Sequence, residues 1–131
     1  TRLEERALEI LDLVGLSNRA SDMASDLAYG ELRLLEVAIA LAAKPALLLL
    51  DEPASGMNPS ETASFMKTVS KIRDEGTTIL LVEHDMRMVM GISDRVVVLN
   101  QGEIIASGTP KEIQNNPKVI HAYLGYGDED A

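Results

Sequence analysis

Carboxylate and imidazole side chains follow two apolar segments, and they are the best candidates for chemistry. Asp51 and Glu52 follow the apolar run 46–50, and Glu83-His84-Asp85 follows the β-branched run 77–82. Parallel strands bring their carboxyl ends to one edge of an open α/β sheet, where ligands bind. Because adjacent strand positions point in different directions, one acid can serve a metal ion while the other faces a reacting water. A histidine at this edge can bind a phosphate oxygen or orient that water.

Two glycine-containing segments lie at predicted helix starts. Gly30, within the segment 27–31, would leave backbone N–H groups free for an anion, although by itself this segment is better explained as an ordinary helix start with Glu31 in its first turn. In the loop 54–59, Gly56 permits unusual backbone dihedrals and Asn58 can cap the following helix. Taken alone, that loop is explained as an ordinary turn before a helix.

Composition narrows the class of protein. The chain has 131 residues, 46% hydrophobic and 3% aromatic, so its core must be aliphatic. A net charge of −9 argues against a nucleic-acid partner and against a polybasic membrane anchor. The absence of Cys excludes disulfides and thiolate metal sites. The most apolar stretch, 34–50, contains Glu36, Lys44 and Pro45, so it indicates a buried helix, a break and a strand rather than a membrane span.

Apolar periodicity predicts helices alternating with strands. We expect helices at about 2–14, 29–43, 59–76, 85–91, from 109, and 117–124, and strands at 46–50, 77–82, 96–99 and 103–106. A hairpin turn at 100–102 joins the last two strands. The order strand–helix–strand–helix–strand indicates an α/β fold with a parallel sheet. The segment 17–27 is typical of a loop with a short helical turn, and we expect the acidic end 125–131 to be disordered.

Together, in this order and spacing, the four segments closely resemble the ABC transporter ATPase family. Leu27–Glu31 is similar to its signature motif, Leu47–Glu52 to its Walker B motif, Ser55–Asn58 to its D-loop, and His84 to its switch histidine. Other stretches narrow the resemblance to the ATP-binding subunit of branched-chain amino acid transporters: Glu83–Met86, Met90–Arg95, Asn100–Gly102 and Asn116–Gly125. The resemblance covers almost the whole chain.

The resemblance implies the C-terminal part of a P-loop NTPase nucleotide-binding domain, with a parallel sheet and flanking helices. Residues 1–44 would end its helical subdomain, 45–125 would belong to the ATPase core, and 126–131 would be an acidic tail. ATP and Mg²⁺ are the implied cofactors. The implied partners are a second nucleotide-binding subunit, arranged head-to-tail, and transmembrane permease subunits that would hold the protein at the cytoplasmic face of the cell membrane. No nucleic-acid partner is expected.

The roles of the family's residues carry over to matching positions. Asp51 would position Mg²⁺ through water, Glu52 would activate the attacking water, and His84 would contact the γ-phosphate. The signature residues would face ATP on the opposite subunit, and the D-loop residues would line the dimer interface. These residues are Ala28, Tyr29, Gly30 and Glu31 in the signature, and Ser55, Gly56 and Asn58 in the D-loop.

The sequence also departs from the family pattern. The usual signature Leu-Ser-Gly-Gly-Gln reads Leu-Ala-Tyr-Gly-Glu at 27–31, while Leu32, Leu34 and Ile39 make the next helix apolar nearly all round, which predicts burial on most sides. The 131 residues contain no Gly-rich loop ending in Gly-Lys-Ser or Gly-Lys-Thr, so the β- and γ-phosphates have no holder. We therefore expect no ATPase activity from this segment alone.

A missing strand would have a structural consequence. In the family, the phosphate-loop strand normally lies between the strands matching 77–82 and 96–99. Without it, two sheet edges stay unpaired, and exposed apolar edges invite pairing with other chains. We therefore expect the 131-residue chain, by itself, to be oligomeric, swapped or rearranged.

Two other functions are compatible with the residues. A non-catalytic interaction module would dock on a membrane partner or a full-length ATPase, and the apolar helix at 31–43 and the C-terminal end favour this alternative. A metal-dependent hydrolase would use Asp51, Glu52, His84 and Asp85 as ligands.

Overall fold

The computed structural model describes residues 1–124, except for the side chain of Leu124, and therefore leaves the acidic end at 125–131 outside the described residues. Two compact units are found, one spanning Thr1–Asp85 and one beginning at Met86. The helices are α1 (Arg2–Leu13), α2 (Tyr29–Ala42), α3 (Pro59–Asp74), α4 (Met86–Ile92), α5 (Pro110–Gln114) and α6 (Pro117–Val119). The strands are β1 (Leu47–Asp51), β2 (Thr78–Val82), β3 (Val96–Asn100) and β4 (Glu103–Gly108).

Capping residues set where the helices begin. Thr1 accepts the Glu4 N–H at the start of α1, and Asn58 accepts the Glu61 N–H at the start of α3. In both helices the N3 glutamate reaches back to the cap, which satisfies backbone groups that the helix leaves unpaired. Asn58 therefore caps α3 as the sequence predicts, and Pro59 follows at the first helical position.

In the first unit, β1 and β2 form a parallel pair in which Leu47 aligns with Thr78 and Asp51 with Val82. One face carries the buried Leu48 and Leu50, and the helices supply Ile10, Leu34, Phe65 and Ile72 to the core. The opposite face is apolar but uncovered, with each of its four large aliphatic side chains at least 50% exposed. These four side chains, named here the open face, are Leu47, Leu49, Leu80 and Val82.

In the second unit, β3 and β4 form an antiparallel hairpin over a core that contains Val98, Ile113 and Val119. Gln101 and Gly102 both have positive φ, as a two-residue hairpin turn requires. The hairpin at 100–102 is thus confirmed. The described strands form two separate two-stranded sheets, so β2 and β3 do not pair with each other, as expected from the sequence.

The apolar helix α2 is buried on one side only. Leu34, Val37 and Leu41 are core residues, but the side chain of Ile39 is 67% exposed. The expectation of burial on most sides is therefore wrong for Ile39, whereas Leu34 is explained by core packing. Within residues 1–124, no helix combines the length and the apolar character that crossing a membrane requires.

Candidate active site

The carboxylate pair lies where β1 ends. Asp51 is the last strand residue and aligns with Val82, so it shares a face with Leu47 and Leu49. Glu52 has a left-handed backbone (φ 47°), and its N–H donates to the Val82 carbonyl at 2.7 Å. The left-handed backbone of Glu52, rather than strand alternation alone, therefore sets the direction of its side chain. Such a backbone is uncommon outside glycine and concentrates at functional sites.

His84 reaches Glu52 from the neighbouring strand end. Its Nδ1 lies 3.4 Å from Oε1 of Glu52, and the two side chains are 73% and 54% exposed. The structure therefore brings together the two residues that the sequence predicts as catalytic. A carboxylate beside an imidazole can accept a proton from water and orient that water.

Glu83 organises the loops beneath this pair. Its side chain is only 1% exposed. Oε1 accepts the N–H groups of His84 (2.9 Å) and Asp85 (3.2 Å), while Oε2 accepts the N–H of Ala54 (3.1 Å). One buried carboxylate thus joins the loop after β1 to the turn after β2. The sequence reasoning missed this role, although alternation from the partly buried Ile79 and Leu81 places position 83 inward.

The N-terminus of α2 contacts the loop after β1 through Tyr29. The Tyr29 hydroxyl donates to the Ser55 carbonyl at 2.8 Å and accepts from Nη2 of Arg33 at 2.7 Å. Gly56 lies under the Tyr29 ring with φ 81°, and a Cβ at Gly56 would come within 3.1 Å of the ring. Tyr29 therefore connects the N-terminus of α2 to residues 55 and 56.

Gly30 has a partner within the chain. Its N–H donates to Oε2 of Glu61 at 2.6 Å, and Oε1 of Glu61 accepts the Asn58 N–H at 3.2 Å. Gly30 is buried, and a Cβ there would overlap the Glu61 carboxylate. An internal carboxylate therefore takes the anion position at the start of α2. Sequence reasoning missed this role of Glu61. The one sequence feature that points to it is its position three residues after Asn58, the residue that caps α3.

Glu31 has a structural role in this arrangement. Its carboxylate pairs with two Arg19 nitrogens, Nε at 3.1 Å and Nη2 at 3.2 Å, and its Oε1 accepts the Ala28 N–H at 3.1 Å. The Arg19 hydrogen bond, and then the Ala28 N–H, hold the pKa of Glu31 below its ordinary value. The same hydrogen bond to Glu31 raises the pKa of Arg19.

A metal site of several protein ligands is not found in the described part of the chain. Among residues 1–124, no group of three or more His, Asp or Glu side chains is arranged to hold a metal ion. The hydrolase alternative based on Asp51, Glu52, His84 and Asp85 therefore has no support. A single exposed carboxylate such as Asp51 does fit Mg²⁺, which usually binds one or two carboxylates together with waters and phosphates.

A cavity of about 470 Å³ lies elsewhere in the first unit. Its lining includes Arg6, Lys44, Lys71 and Thr77, and so belongs to the amino ends of β1 and β2. Open α/β sheets bind ligands at the opposite, carboxyl end. We therefore place the candidate site at Glu52 and His84 rather than at this cavity.

Several known proteins are similar to this chain in sequence or in fold. Residues 2–55 match the ABC transporter family, and residues 103–129 match the branched-chain amino acid ATP-binding cassette transporter family. LivG of Escherichia coli K12, a high-affinity branched-chain amino acid transport ATP-binding protein, is 52% identical over 122 residues. The chain belongs to the ABC transporter ATP-binding family. That alignment covers 92% of this chain and 48% of LivG.

Other family members agree with this assignment. BraF of Pseudomonas aeruginosa, also a branched-chain amino acid transport ATP-binding protein, is 48% identical over 95% of this chain and 51% of BraF. The solved ATP-binding cassette MJ1267, in its ADP conformation, superposes with a TM-score of 0.84 and 30% identity. That match covers 95% of this chain and 51% of the cassette. The chain thus spans about half the length of the relatives it matches.

Proposed function

We propose that this chain is the C-terminal half of the ATP-hydrolysing subunit of an ABC importer, with branched-chain amino acids as the transported class. The observation that carries the proposal is the contact between Glu52 and His84 at the carboxyl ends of two parallel strands. The identity to LivG and BraF supports the substrate class, since both are branched-chain amino acid transport ATP-binding proteins.

Each residue at the strand ends has a proposed part in hydrolysis. Glu52 accepts a proton from the attacking water, and His84 contacts the γ-phosphate and keeps the water in line. Asp51 would hold Mg²⁺, and this ion, when bound, would neutralise charge on the phosphates. The exposure of Glu52 and His84 supports these roles, because both side chains are accessible to a ligand.

The remaining motifs have a proposed place between two subunits. Ala28, Tyr29, Gly30 and Glu31 face ATP on the opposite subunit, and Ser55, Gly56 and Asn58 line the dimer interface. The hydrogen bonds from Tyr29 to Ser55 and from Gly30 to Glu61 support a joint role, because they connect these two segments. Permease subunits hold the assembly at the cytoplasmic face of the membrane.

The proposal is tested with a chimera in which this chain replaces the matching half of Escherichia coli LivG. We expect Mg²⁺-dependent ATP hydrolysis from the chimera, none from the 131-residue chain alone, and loss of activity in Glu52→Gln. Glu75→Gln makes the same chemical change at the far end of α3 and serves as the matched control. A folded chimera without ATPase activity, or full activity in Glu52→Gln, would contradict the proposal.

A second candidate is a non-catalytic interaction module. The exposed Ile39 on α2 and the open face favour it, because exposed apolar patches mark interaction sites. Its test is capture of the 131-residue chain by purified permease subunits of the Escherichia coli transporter. An Ile39→Ser variant should bind less well, and absence of any binding by the parent chain would exclude the module.

A further inference from the structure

One buried acid has no part in the proposed reaction. The Glu83 side chain is 1% exposed, yet its neighbours Glu52 and His84 are more than half exposed. Burying a carboxylate is costly unless hydrogen bonds satisfy it. Three backbone N–H groups satisfy Glu83, and all three belong to the two loops that follow β1 and β2. The acid is therefore placed to fix those loops relative to one another.

We propose that Glu83 is a positioning residue, which sets the distance between His84 and Glu52 by holding the backbones of Ala54 and His84. The inference rests on the proposed function, since it assigns Glu83 a role in the same ATPase site. Its effect passes through His84. Nδ1 of His84 lies 3.4 Å from Glu52 and 3.5 Å from Oε1 of Glu83, so a shift of this turn would change the geometry at Glu52.

A carboxylate suits this position better than an amide of the same shape. Both oxygens of Glu83 accept N–H groups, Oε1 from His84 and Asp85 and Oε2 from Ala54. A glutamine offers one oxygen and one NH₂ group. The NH₂ group would lie opposite a backbone N–H of one of the two loops, and two donors cannot form a hydrogen bond. Glu83→Gln should therefore release one loop while changing the side-chain volume very little.

The test is steady-state ATPase kinetics of the LivG chimera carrying Glu83→Gln. A displacement of about 1 Å at a catalytic group lowers a rate on the order of 100-fold. We expect a fall of that order in kcat per folded protein, with KM for ATP changed by less than about 2-fold, because the lost interaction acts in the transition state. Val69→Ala, which opens a gap at a buried position of α3, is the control for a merely structural loss.

A double-mutant cycle separates positioning from other roles. If Glu83 acts through His84, adding Glu83→Gln to His84→Ala should lower kcat little further, because the two residues work as a unit. Multiplicative effects, or an unchanged kcat in Glu83→Gln, would overturn the proposal. Glu83→Asp is the second variant if the glutamine protein does not fold. It keeps the charge but cannot reach both loops, so the same loss of kcat is expected.

An NMR measurement on the folded LivG chimera keeps this inference distinct from the proposed function. Glu83→Gln should shift the backbone amide signals of both Ala54 and His84, and Val69→Ala should leave them in place. If those signals move but the parent chimera hydrolyses no ATP, the proposed function fails while the loop-fixing contact stands. If neither signal moves, the positioning role itself is overturned.

Discussion

Nδ1 of His84 lies 3.4 Å from Oε1 of Glu52, and the contact connects the ends of two parallel strands. Both side chains are largely exposed, and even a fully charged exposed pair contributes only about 0–1 kcal/mol to stability. The pair is therefore expected to serve chemistry rather than folding. His84→Ala should change the free energy of unfolding by less than about 1 kcal/mol, yet lower kcat of the LivG chimera strongly to a measurable residual rate. Urea unfolding and an ATPase assay on the same preparation check both parts, and a large loss of stability would contradict the assignment.

A side chain at Gly30 would displace the Glu61 carboxylate. A Cβ there would overlap that carboxylate, which accepts the Gly30 N–H. Because the Glu61 side chain is flexible and can move aside, the main cost is the lost hydrogen bond. Gly30→Ala should therefore lower the free energy of unfolding by about 1 kcal/mol, and urea unfolding measures it. In a Glu61→Ala background the overlap is absent, so the same change should cost clearly less; an equal cost in both backgrounds would show that Glu61 is not the obstacle.

Glu61 should compete with phosphate for Gly30. The Gly30 N–H, which the proposed function assigns to ATP on the opposite subunit, already donates to Glu61 at 2.6 Å. A hydrogen bond to a charged group contributes about 1 kcal/mol more net stability than a hydrogen bond between neutral groups. Glu61→Gln should therefore weaken the competitor and lower the KM for ATP by about 5-fold in the chimera. Glu75→Gln is the control, and a KM that stays unchanged or rises in Glu61→Gln would contradict the competition.

Much of the site follows from sequence because local signals agree with the tertiary contacts. Apolar strands ending in acids and a histidine place Glu52 and His84 at one sheet edge, and Asn58 caps α3 as its residue type favours. Glu83 and Glu61 were missed because the Ala54 and Gly30 N–H groups that they accept lie 29 and 31 residues away along the chain, and no spacing rule encodes such contacts. The pairing of β3 with β4 was predictable because the turn residues Gln101 and Gly102 specify a hairpin locally.

Acid should weaken the contact between Glu31 on α2 and Arg19. The Arg19 hydrogen bond lowers the pKa of Glu31 in the folded state, so between the folded and unfolded pKa values the unfolded chain binds more protons. The stabilisation is therefore fully present above the ordinary value of 4.5 and is lost as pH falls through the depressed pKa. Thermal unfolding from pH 6 to pH 3 should show a larger loss of Tm for the parent than for Glu31→Gln. An equal loss of Tm with falling pH in the parent and in Glu31→Gln would contradict this linkage.

The open face should drive self-association of the 131-residue chain. Parallel sheets are normally covered on both faces, yet Leu49 and Leu80, which are paired in register, are 64% and 55% exposed. Contiguous exposed apolar side chains mark interaction sites or aggregation-prone surfaces. Light scattering should therefore report oligomers at working concentration, and Leu49→Ser with Leu80→Ser should shift the population towards monomer. Leu3→Ser removes an equally apolar side chain that is 83% exposed on α1, and it should leave the association unchanged. A monodisperse monomer for the parent chain would contradict the prediction, as would an equal effect of the Leu3 variant.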